Sequence, residues 1–255
     1  SGTGVLAGGV ITLDDADSLI TKLAGSTGNI NNALSLANAV VLNGSKGISS
    51  LAAFTIAGAI SFAGTSGHLR IGCNAVAVAY TGNAIGVGDN QITVAGTGGG
   101  MVGTFNNTNQ INLNHVNSLI NLTDCTVSKI SQITADAASG KGIAVVTDAS
   151  TITTLTHTTS SRIALGDQLT ITNAFNIGAK TLTLSGTGVL AGGAITLNDA
   201  DSLITKLAAS TGAINNALSL ANTIVLNASK GISSLAAFTI AGNVSFAGTS
   251  GHLRI

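Results

Sequence analysis

The sequence LTITNAFNIGAKTLTLSGTGVLAGGAITL, from Leu169 to Leu197, contains five short segments in which apolar side chains alternate with small or polar ones. These segments start six or seven residues apart and read LTI (169–171), FNI (175–177), LTL (182–184), VL (189–190) and ITL (195–197). Alternation with a period of two is typical of half-buried strands. Strands this short are unusual in a free-standing β-sandwich, but they suit a coil that turns a corner after each strand. The stretch therefore predicts a β-solenoid.

A similar series of short alternating segments lies earlier in the chain. It reads FTI (54–56), ISF (60–62), LRI (69–71), VAV (76–78), IGV (85–87) and ITV (92–94). Three strands and three corners take roughly 20 residues, which is within the range of solenoid repeats. Together the two series predict an all-β fold, a right-handed parallel β-helix of short strands stacked about 4.8 Å apart.

A long stretch of the sequence occurs twice. Residues 1–71 return as residues 185–255 with nine substitutions and no insertion or deletion. Self-similarity at a fixed period is the signature of a repeat architecture. We therefore expect residues 1–184 to be one full repeat unit of eight or nine coils and residues 185–255 to be the start of the next. One continuous solenoid would run through both.

A second, shorter motif places Asp or Asn directly after a leucine, in ITLDDADSLITKL (11–23), VVLNGSKGISSL (40–51) and INLNHVNSLINL (111–122). This Asp or Asn is predicted to bond backbone amides two or three residues further on. A short helix is the alternative for DADSLITKLAG (15–25) and for NINNALSLAN (29–38), so the solenoid could contain one or two helical turns. The glycine-rich segment from Thr97 to Thr108 is predicted to be a loop.

Composition excludes several classes of protein. The chain has ten Lys and Arg against ten Asp, no Glu and a net charge of zero, and charged residues make up 8% of it. Nucleic acid is therefore not an expected partner, because neutralising phosphates requires clustered basic residues. Intrinsic disorder and a helical bundle are also disfavoured, since both require more charged residues. No apolar run is long enough to predict a membrane-spanning helix.

The densest group of acidic residues suggests a candidate metal site. Hard cations such as calcium take several oxygen ligands from close positions, and the candidate ligands are Asp14, Asp15, Asp17, Asp199 and Asp201. The second copy has Asn198 in place of Asp14. The alternative interpretation is a solvated corner with capping aspartates. We expect no other cofactor.

The remaining reactive residues offer little chemistry. Cys73 and Cys125 are interpreted as small buried hydrophobes, with a disulfide between neighbouring coils as the alternative. His157 has Ser160, Ser161 and Asp167 within ten residues, but such proximity in sequence does not predict a catalytic triad. The chain is not expected to be an enzyme.

A solenoid can also present a binding surface. TITTLTHTT (151–159), QLTIT (168–172) and TLTLS (181–185) contain local Thr-x-Thr units, and a flat array of threonines spaced by one coil would favour ice binding. These units do not recur at a constant spacing along the sequence. An ice-binding or glycan-binding module is therefore the alternative to a structural role.

The segment VSKISQITADAASGKGIAVVTDASTITTLTHTTSSRIALGDQLTITNAF, with its Asp-Ala-Ser turns and Ile/Leu-x-x-Ile/Leu steps, resembles the giant low-charge repeat proteins of bacterial cell surfaces. These are adhesins and fibre or sheath proteins with predicted β-solenoid repeats. The resemblance implies an extracellular or cell-surface location and a structural or adhesive role. The expected partners are further copies of the chain, stacked end to end or laterally, and cell-surface glycans.

Overall fold

The computed structural model describes residues 2–15, 17–36, 47–73, 76–96, 103–132, 141–220, 231–234, 239–246, 249–250 and 252–255. Within these residues it contains thirty strands and no helix. In chain order the strands are β1 Val5–Leu6, β2 Ile11–Leu13, β3 Leu19–Lys22, β4 Asn29–Ile30, β5 Leu34–Leu36, β6 Gly47–Ser50, β7 Phe54–Ile56, β8 Ile60–Phe62, β9 His68–Gly72, β10 Ala77–Tyr80, β11 Ile85–Gly86, β12 Gln91–Ala95, β13 Gly103–Asn107, β14 Ile111–Leu113, β15 Leu119–Thr123, β16 Cys125–Gln132, β17 Gly142–Thr147, β18 Ser150–His157, β19 Ser161–Leu165, β20 Leu169–Ile171, β21 Phe175–Asn176, β22 Thr181–Gly186, β23 Val189–Gly192, β24 Ile195–Leu197, β25 Leu203–Lys206, β26 Ala213–Ile214, β27 Leu218–Leu220, β28 Gly231–Ser234, β29 Thr239–Ile240 and β30 Val244–Phe246.

The strands stack as a parallel β-solenoid with three faces. The first face has the order β1-β4-β7-β10-β13-β16-β18-β20-β23-β26-β29, and the third has the order β3-β6-β9-β12-β15-β17-β19-β22-β25-β28. The second face is made of β2-β5-β8, of β11-β14 with the second halves of β16 and β18, and of β21-β24-β27-β30. Each coil therefore contributes to all three faces, and the predicted all-β solenoid of short strands is confirmed.

Eight coils separate equivalent strands of the two copies. On the first face eight steps lead from β1 to β23, and these two strands occupy the same position in the two copies. The coils differ in length, since the coil between the paired Ile152 and Ile171 is shorter than the one between the paired Ile92 and Ile120. The number of coils per unit agrees with the predicted eight or nine. Strand β22 runs through the boundary between residues 184 and 185 without a break.

Columns of aliphatic side chains fill the interior. On the third face Ile120, Ile143, Ile163 and Leu184 lie in register in successive coils and are all buried. Burial of each such side chain contributes about 1.5–3 kcal/mol to folding, and the backbone groups of a central strand pair with the coils on both sides. The core and the backbone ladders thus continue along the stack of coils.

Close backbone contact at the corners explains part of the glycine content. A Cβ atom on Gly58 would overlap the carbonyl oxygen of Asn32 in the preceding coil. Gly242, the same position in the second copy, has the same relation to Asn216. Only glycine allows the backbone to turn this corner so close to its neighbour.

The helical alternative is wrong for the described parts of both segments. Residues 19–22 form β3 and residues 29–30 and 34–36 form β4 and β5, while residues 16, 37 and 38 lie outside the described residues. The inward positions of β3 are Ile20 and Lys22, with a spacing of two rather than three or four. The turn after β3 takes a positive φ at Gly25, and Ala209 does so in the second copy.

The predicted loop at 97–108 is also partly wrong. Residues 103–107 form β13, which pairs with β10 on one side and with β16 on the other. Phe105, the only large apolar residue in this strand, is fully buried and stacks on Tyr80 of the preceding coil at 6.0 Å between ring centroids. Residues 97–102 lie outside the described residues.

Candidate interaction surfaces

Hydroxyl-bearing residues form a regular array on the outside of the first face. Four threonines from four successive coils pair in register along this face, and they are Thr104, Thr126, Thr151 and Thr170. Alanines occupy the same column in the coils before and after, at Ala77 and Ala191. The column is therefore a bounded patch and not a feature of every coil.

A second column runs parallel to the first, two residues further along each strand. It consists of Asn106, Ser128, Thr153 and Thr172. Between the two columns the side chains point into the core and are fully buried, at Phe105, Val127, Ile152 and Ile171. We call the eight outward residues the threonine array. Its spacing is about 4.7–4.9 Å between coils and about 6.6–6.8 Å between columns.

Hydrogen bonding differs among the threonines of the solenoid. In the first column Thr170 accepts a hydrogen bond from the side chain of Gln168 at 3.1 Å. Thr93 bonds His68 at 2.7 Å, and Thr154 accepts a bond from Asn173 at 2.9 Å. Within the part of the chain that the structure describes, the side chains of Thr104, Thr126 and Thr151 make no hydrogen bond. These three hydroxyls are available to a ligand.

The sequence did not reveal this array because the coils differ in length. Consecutive members of the first column are unequally spaced along the chain, with the widest gap between Thr126 and Thr151 and the narrowest between Thr151 and Thr170. Corners absorb the difference, so residues at unequal spacing reach the same column. The Thr-x-Thr units of the sequence belong to the last two coils of the array. Residues 104–106 (TFN) and 126–128 (TVS) carry the same pattern only when Asn and Ser are counted as equivalents of Thr.

The aspartates proposed as calcium ligands lie in a corner turn between the second and third faces. The Asp15 carboxylate accepts a hydrogen bond from the amide of Asp17 at 2.9 Å, and Asp199 accepts the same bond from Asp201. In the described residues no three His, Cys, Asp or Glu side chains come together as a group that could hold a metal ion. Asp14 is exposed at the start of the turn.

At Asn114 and Asn198 the residue after the leucine does not make the predicted hydrogen bond, and Asn43 lies outside the described residues. Asn198 accepts a hydrogen bond from the amide of Gly178, in the preceding coil, and Asn114 accepts one from Gly88. These bonds join neighbouring coils, so the expected bond to an amide two residues on belongs to the next residue of the turn, Asp199. Ser202 strengthens the same corner because its hydroxyl accepts from Asp199 at 3.2 Å and donates to the carbonyl of Gly178 at 2.7 Å.

His157 belongs to a buried hydrogen-bond network. Its Nδ1 lies 3.2 Å from the hydroxyl of Ser161, and that hydroxyl lies 2.6 Å from Oε1 of Gln132. Burial, together with the charge of Lys180, lowers the pKa of His157 to about 4. The structure brings Ser161 to the histidine, but Asp167 instead bonds the amide of Gln168. The histidine and serine are 8% and 4% exposed, so they lie in the core rather than on the surface.

The two cysteines are free and fully buried, as the hydrophobic interpretation predicted. The Cys125 thiol lies 3.3 Å from the carbonyl oxygen of Val94. Burial raises the pKa of Cys73 to about 12 and that of Cys125 to about 11. Both thiols are therefore protonated and unreactive at neutral pH.

The two terminal coils expose apolar side chains that are covered elsewhere. Leu6 in β1 is 55% exposed, whereas Leu190, the same position in the second copy, pairs with Leu169 and is fully buried. At the other end Phe246 is 50% exposed and Val244 is 44% exposed. Ile60, which corresponds to Val244, is 4% exposed. Among the described residues, the first and last coils thus expose apolar side chains that a neighbouring coil covers elsewhere.

Comparison of the chain with protein-family models, with curated proteins and with solved structures gave no match. Across the described residues, no helix has the length and apolar character needed to cross a membrane.

Proposed function

We propose that this chain is a structural repeat segment of an extracellular bacterial surface fibre, stalk or adhesin, and that it acts by stacking coils and whole units. Its partners are further copies of itself, end to end or laterally, with cell-surface glycans as additional contacts. The proposal includes no catalytic activity and no cofactor. It rests on the architecture of the solenoid and on the resemblance to bacterial surface proteins.

The observation that carries the proposal is that equivalent leucines in the two copies differ in burial. Leu6 and Leu190 have the same local sequence, and the only relevant difference is that a preceding coil covers Leu190. The surface around Leu6 is thus already suited to a covering coil. Burying such a leucine contributes about 1.5–3 kcal/mol, and open strand edges favour pairing with another chain.

The composition supports the same role. With a net charge of zero and few charged residues, two copies do not repel each other as they approach. Within the described residues β1 and β29 are the first and last strands of the first face, and each has one side with no paired strand. A head-to-tail contact would therefore continue the first face from one copy to the next, as a heterologous contact that does not close on itself.

Sedimentation velocity over a range of protein concentrations tests the stacking. We expect the 255-residue chain to form oligomers that grow with concentration, and we expect Leu6→Asp and Phe246→Asp each to abolish them, because a charge would be buried at the junction. Thr196→Asp is the matched control, since Thr196 faces outward on the second face in β24 and lies away from both ends. A chain that stays monomeric would contradict the proposal, and oligomers that survive both end variants would contradict end-to-end stacking.

A further inference from the structure

We infer that the threonine array, defined above, is a binding surface for ice. This function is separate from stacking, because the array lies on the side of the solenoid in coils between the two copies and not at an end. It does not require a second protein molecule.

The geometry of the array restricts the kind of ligand. Four coils and two columns place hydrogen-bonding groups at two fixed repeats that are set by the backbone, one along the solenoid axis and one along the strands. A ligand that uses all of these groups must itself repeat in two directions. Oxygen atoms of ice repeat at closely similar distances in two perpendicular directions of a crystal face.

The chemistry of the array also fits ordered water. Threonine offers a hydroxyl that both donates and accepts hydrogen bonds, and a methyl group that excludes disordered water from the space between neighbouring hydroxyls. The hydroxyls of Thr104, Thr126 and Thr151 have no hydrogen-bond partner in the described residues. The eight residues of the array carry no charge. Lys129 is a charged neighbour, and its ammonium group donates to the carbonyl of Thr108 at 2.7 Å.

The array is held rigidly, which an ice-binding surface requires. Its threonines are β-branched and have restricted χ1 angles. Phe105, Val127 and Ile152, which alternate with the outward residues, are fully buried and fix the strands from inside. No register shift interrupts the described pairing of β13, β16, β18 and β20 along these residues.

A crystalline polysaccharide fits the same surface less well. Sugar rings are bound mainly by stacking on exposed aromatic side chains, and the aromatic residues closest to the array, Tyr80 and Phe105, are fully buried. The array also has no carboxylate to pair with sugar hydroxyls. Binding of the chain to a crystalline polysaccharide but not to ice would therefore overturn the inference.

The inference is tested by growing ice slowly from a dilute solution of the fluorescently labelled 255-residue chain and measuring the protein incorporated into the ice. We expect incorporation, together with thermal hysteresis and inhibition of ice recrystallisation. The double variant Thr126→Lys/Thr151→Lys should lose all three, because two long charged side chains break the flat surface. Thr196→Lys, on a different face, should keep them.

Circular dichroism and thermal unfolding establish that each variant is folded. A double variant that fails to fold is replaced by Thr126→Val/Thr151→Val, which keeps the shape of the array but removes two hydroxyls, and we expect it to reduce incorporation. The inference is overturned if the wild-type chain is excluded from ice, or if the control variant loses activity as completely as the array variants. Binding of the wild-type chain to crystalline cellulose or chitin but not to ice would also overturn it.

Discussion

The first coils of the chain and the coils of the second copy have nearly the same sequence but different surroundings. Leu6 is 55% exposed at the end of the stack, while Leu190 is fully buried beneath the preceding coil. Strands β1 and β23 begin at equivalent residues, but β1 ends at Leu6 while β23 continues to Gly192, which pairs with Ile171 of the preceding coil. Local sequence therefore determines where the strand begins, whereas its full length, its burial and most of the packing energy come from the neighbouring coil.

The largest expected effect comes from placing a charge at this position in each copy. Leu190→Asp should lower the free energy of unfolding by at least about 4 kcal/mol, because an unpaired carboxylate would be buried in the core. Leu6→Asp should change it by less than about 1 kcal/mol, because water reaches that side chain. Chemical denaturation followed by circular dichroism measures both. An equal loss of unfolding free energy in the two variants would show that the preceding coil does not cover Leu190.

His157 lies in a coil that precedes the second copy, and we expect acid to lower the stability of the chain at this coil. Its pKa is about 4 in the folded chain against 6.5 in the unfolded chain, so between these values only the unfolded chain is protonated. The stability that depends on the neutral histidine is complete above pH 6.5 and is lost as the pH falls towards 4, by at most about 3 kcal/mol.

The measurement for His157 is the free energy of unfolding between pH 7 and pH 4. The variant His157→Gln is the control, because its amide can still bond Ser161 but cannot titrate. The wild type should lose more stability than the variant across this range. Parallel pH profiles for the two proteins would be inconsistent with a buried neutral histidine.

A smaller difference is expected at the corner serines. The hydroxyl of Ser202 accepts a hydrogen bond from the amide of Asp199 and donates one to the carbonyl of Gly178 in the preceding coil. The hydroxyl of Ser18, its counterpart in the first copy, bonds only the amide of Asp15 within the described residues. Ser202→Ala should lower the free energy of unfolding by about 2 kcal/mol, and Ser18→Ala should lower it by about 1 kcal/mol or less. Thermal unfolding of the two variants side by side checks this order, and a larger cost at Ser18 would refute the role of the bond between coils.

The smallest difference concerns the turn after the third-face strand. Gly25 and Ala209 hold the same position with φ of 75° and 64°, a conformation that costs alanine about 1–2 kcal/mol. Glycine loses more backbone entropy on folding, so Ala209→Gly should stabilise the chain by up to about 1 kcal/mol and Gly25→Ala should destabilise it by a similar amount. Calorimetry detects both shifts. Stabilisation by Gly25→Ala would mean that this turn is not left-handed.

Short alternating segments made most of the fold predictable from the sequence. LTI (169–171) and ITL (195–197) coincide with β20 and β24 at both ends. The period of two survives because one face of each strand is always buried. The number of coils in the repeat unit followed from the spacing of the same segments.

Two strands escaped prediction from the sequence for identifiable physical reasons. In LITK (19–22) the inward residues are Ile20 and Lys22, and a lysine in an inward position hid the alternation and left a helix open. The solenoid accommodates this lysine because its ammonium group donates to the carbonyl of Ala53 at the corner. In GTFNN (103–107) Phe105 is the only large apolar side chain, so the strand lacked a visible pattern.

The sequence shows the Thr-x-Thr units of two coils, but the whole threonine array could not be predicted because it depends on register between coils of different length. Along the sequence Thr126 lies further from Thr151 than Thr151 lies from Thr170. Only the backbone pairing places them in one column. Single-sequence periodicity detects features that repeat along the chain, whereas this surface repeats along the solenoid axis.

Fibre diffraction from aligned assemblies of the 255-residue chain is the most direct test of end-to-end stacking. If copies stack along the solenoid axis, the strands lie across the fibre, and we expect a meridional reflection at about 4.7–4.8 Å. Leu6→Asp should remove the fibres and the reflection together. A reflection at that spacing on the equator would mean that copies associate side by side, and it would contradict the proposed end-to-end stacking.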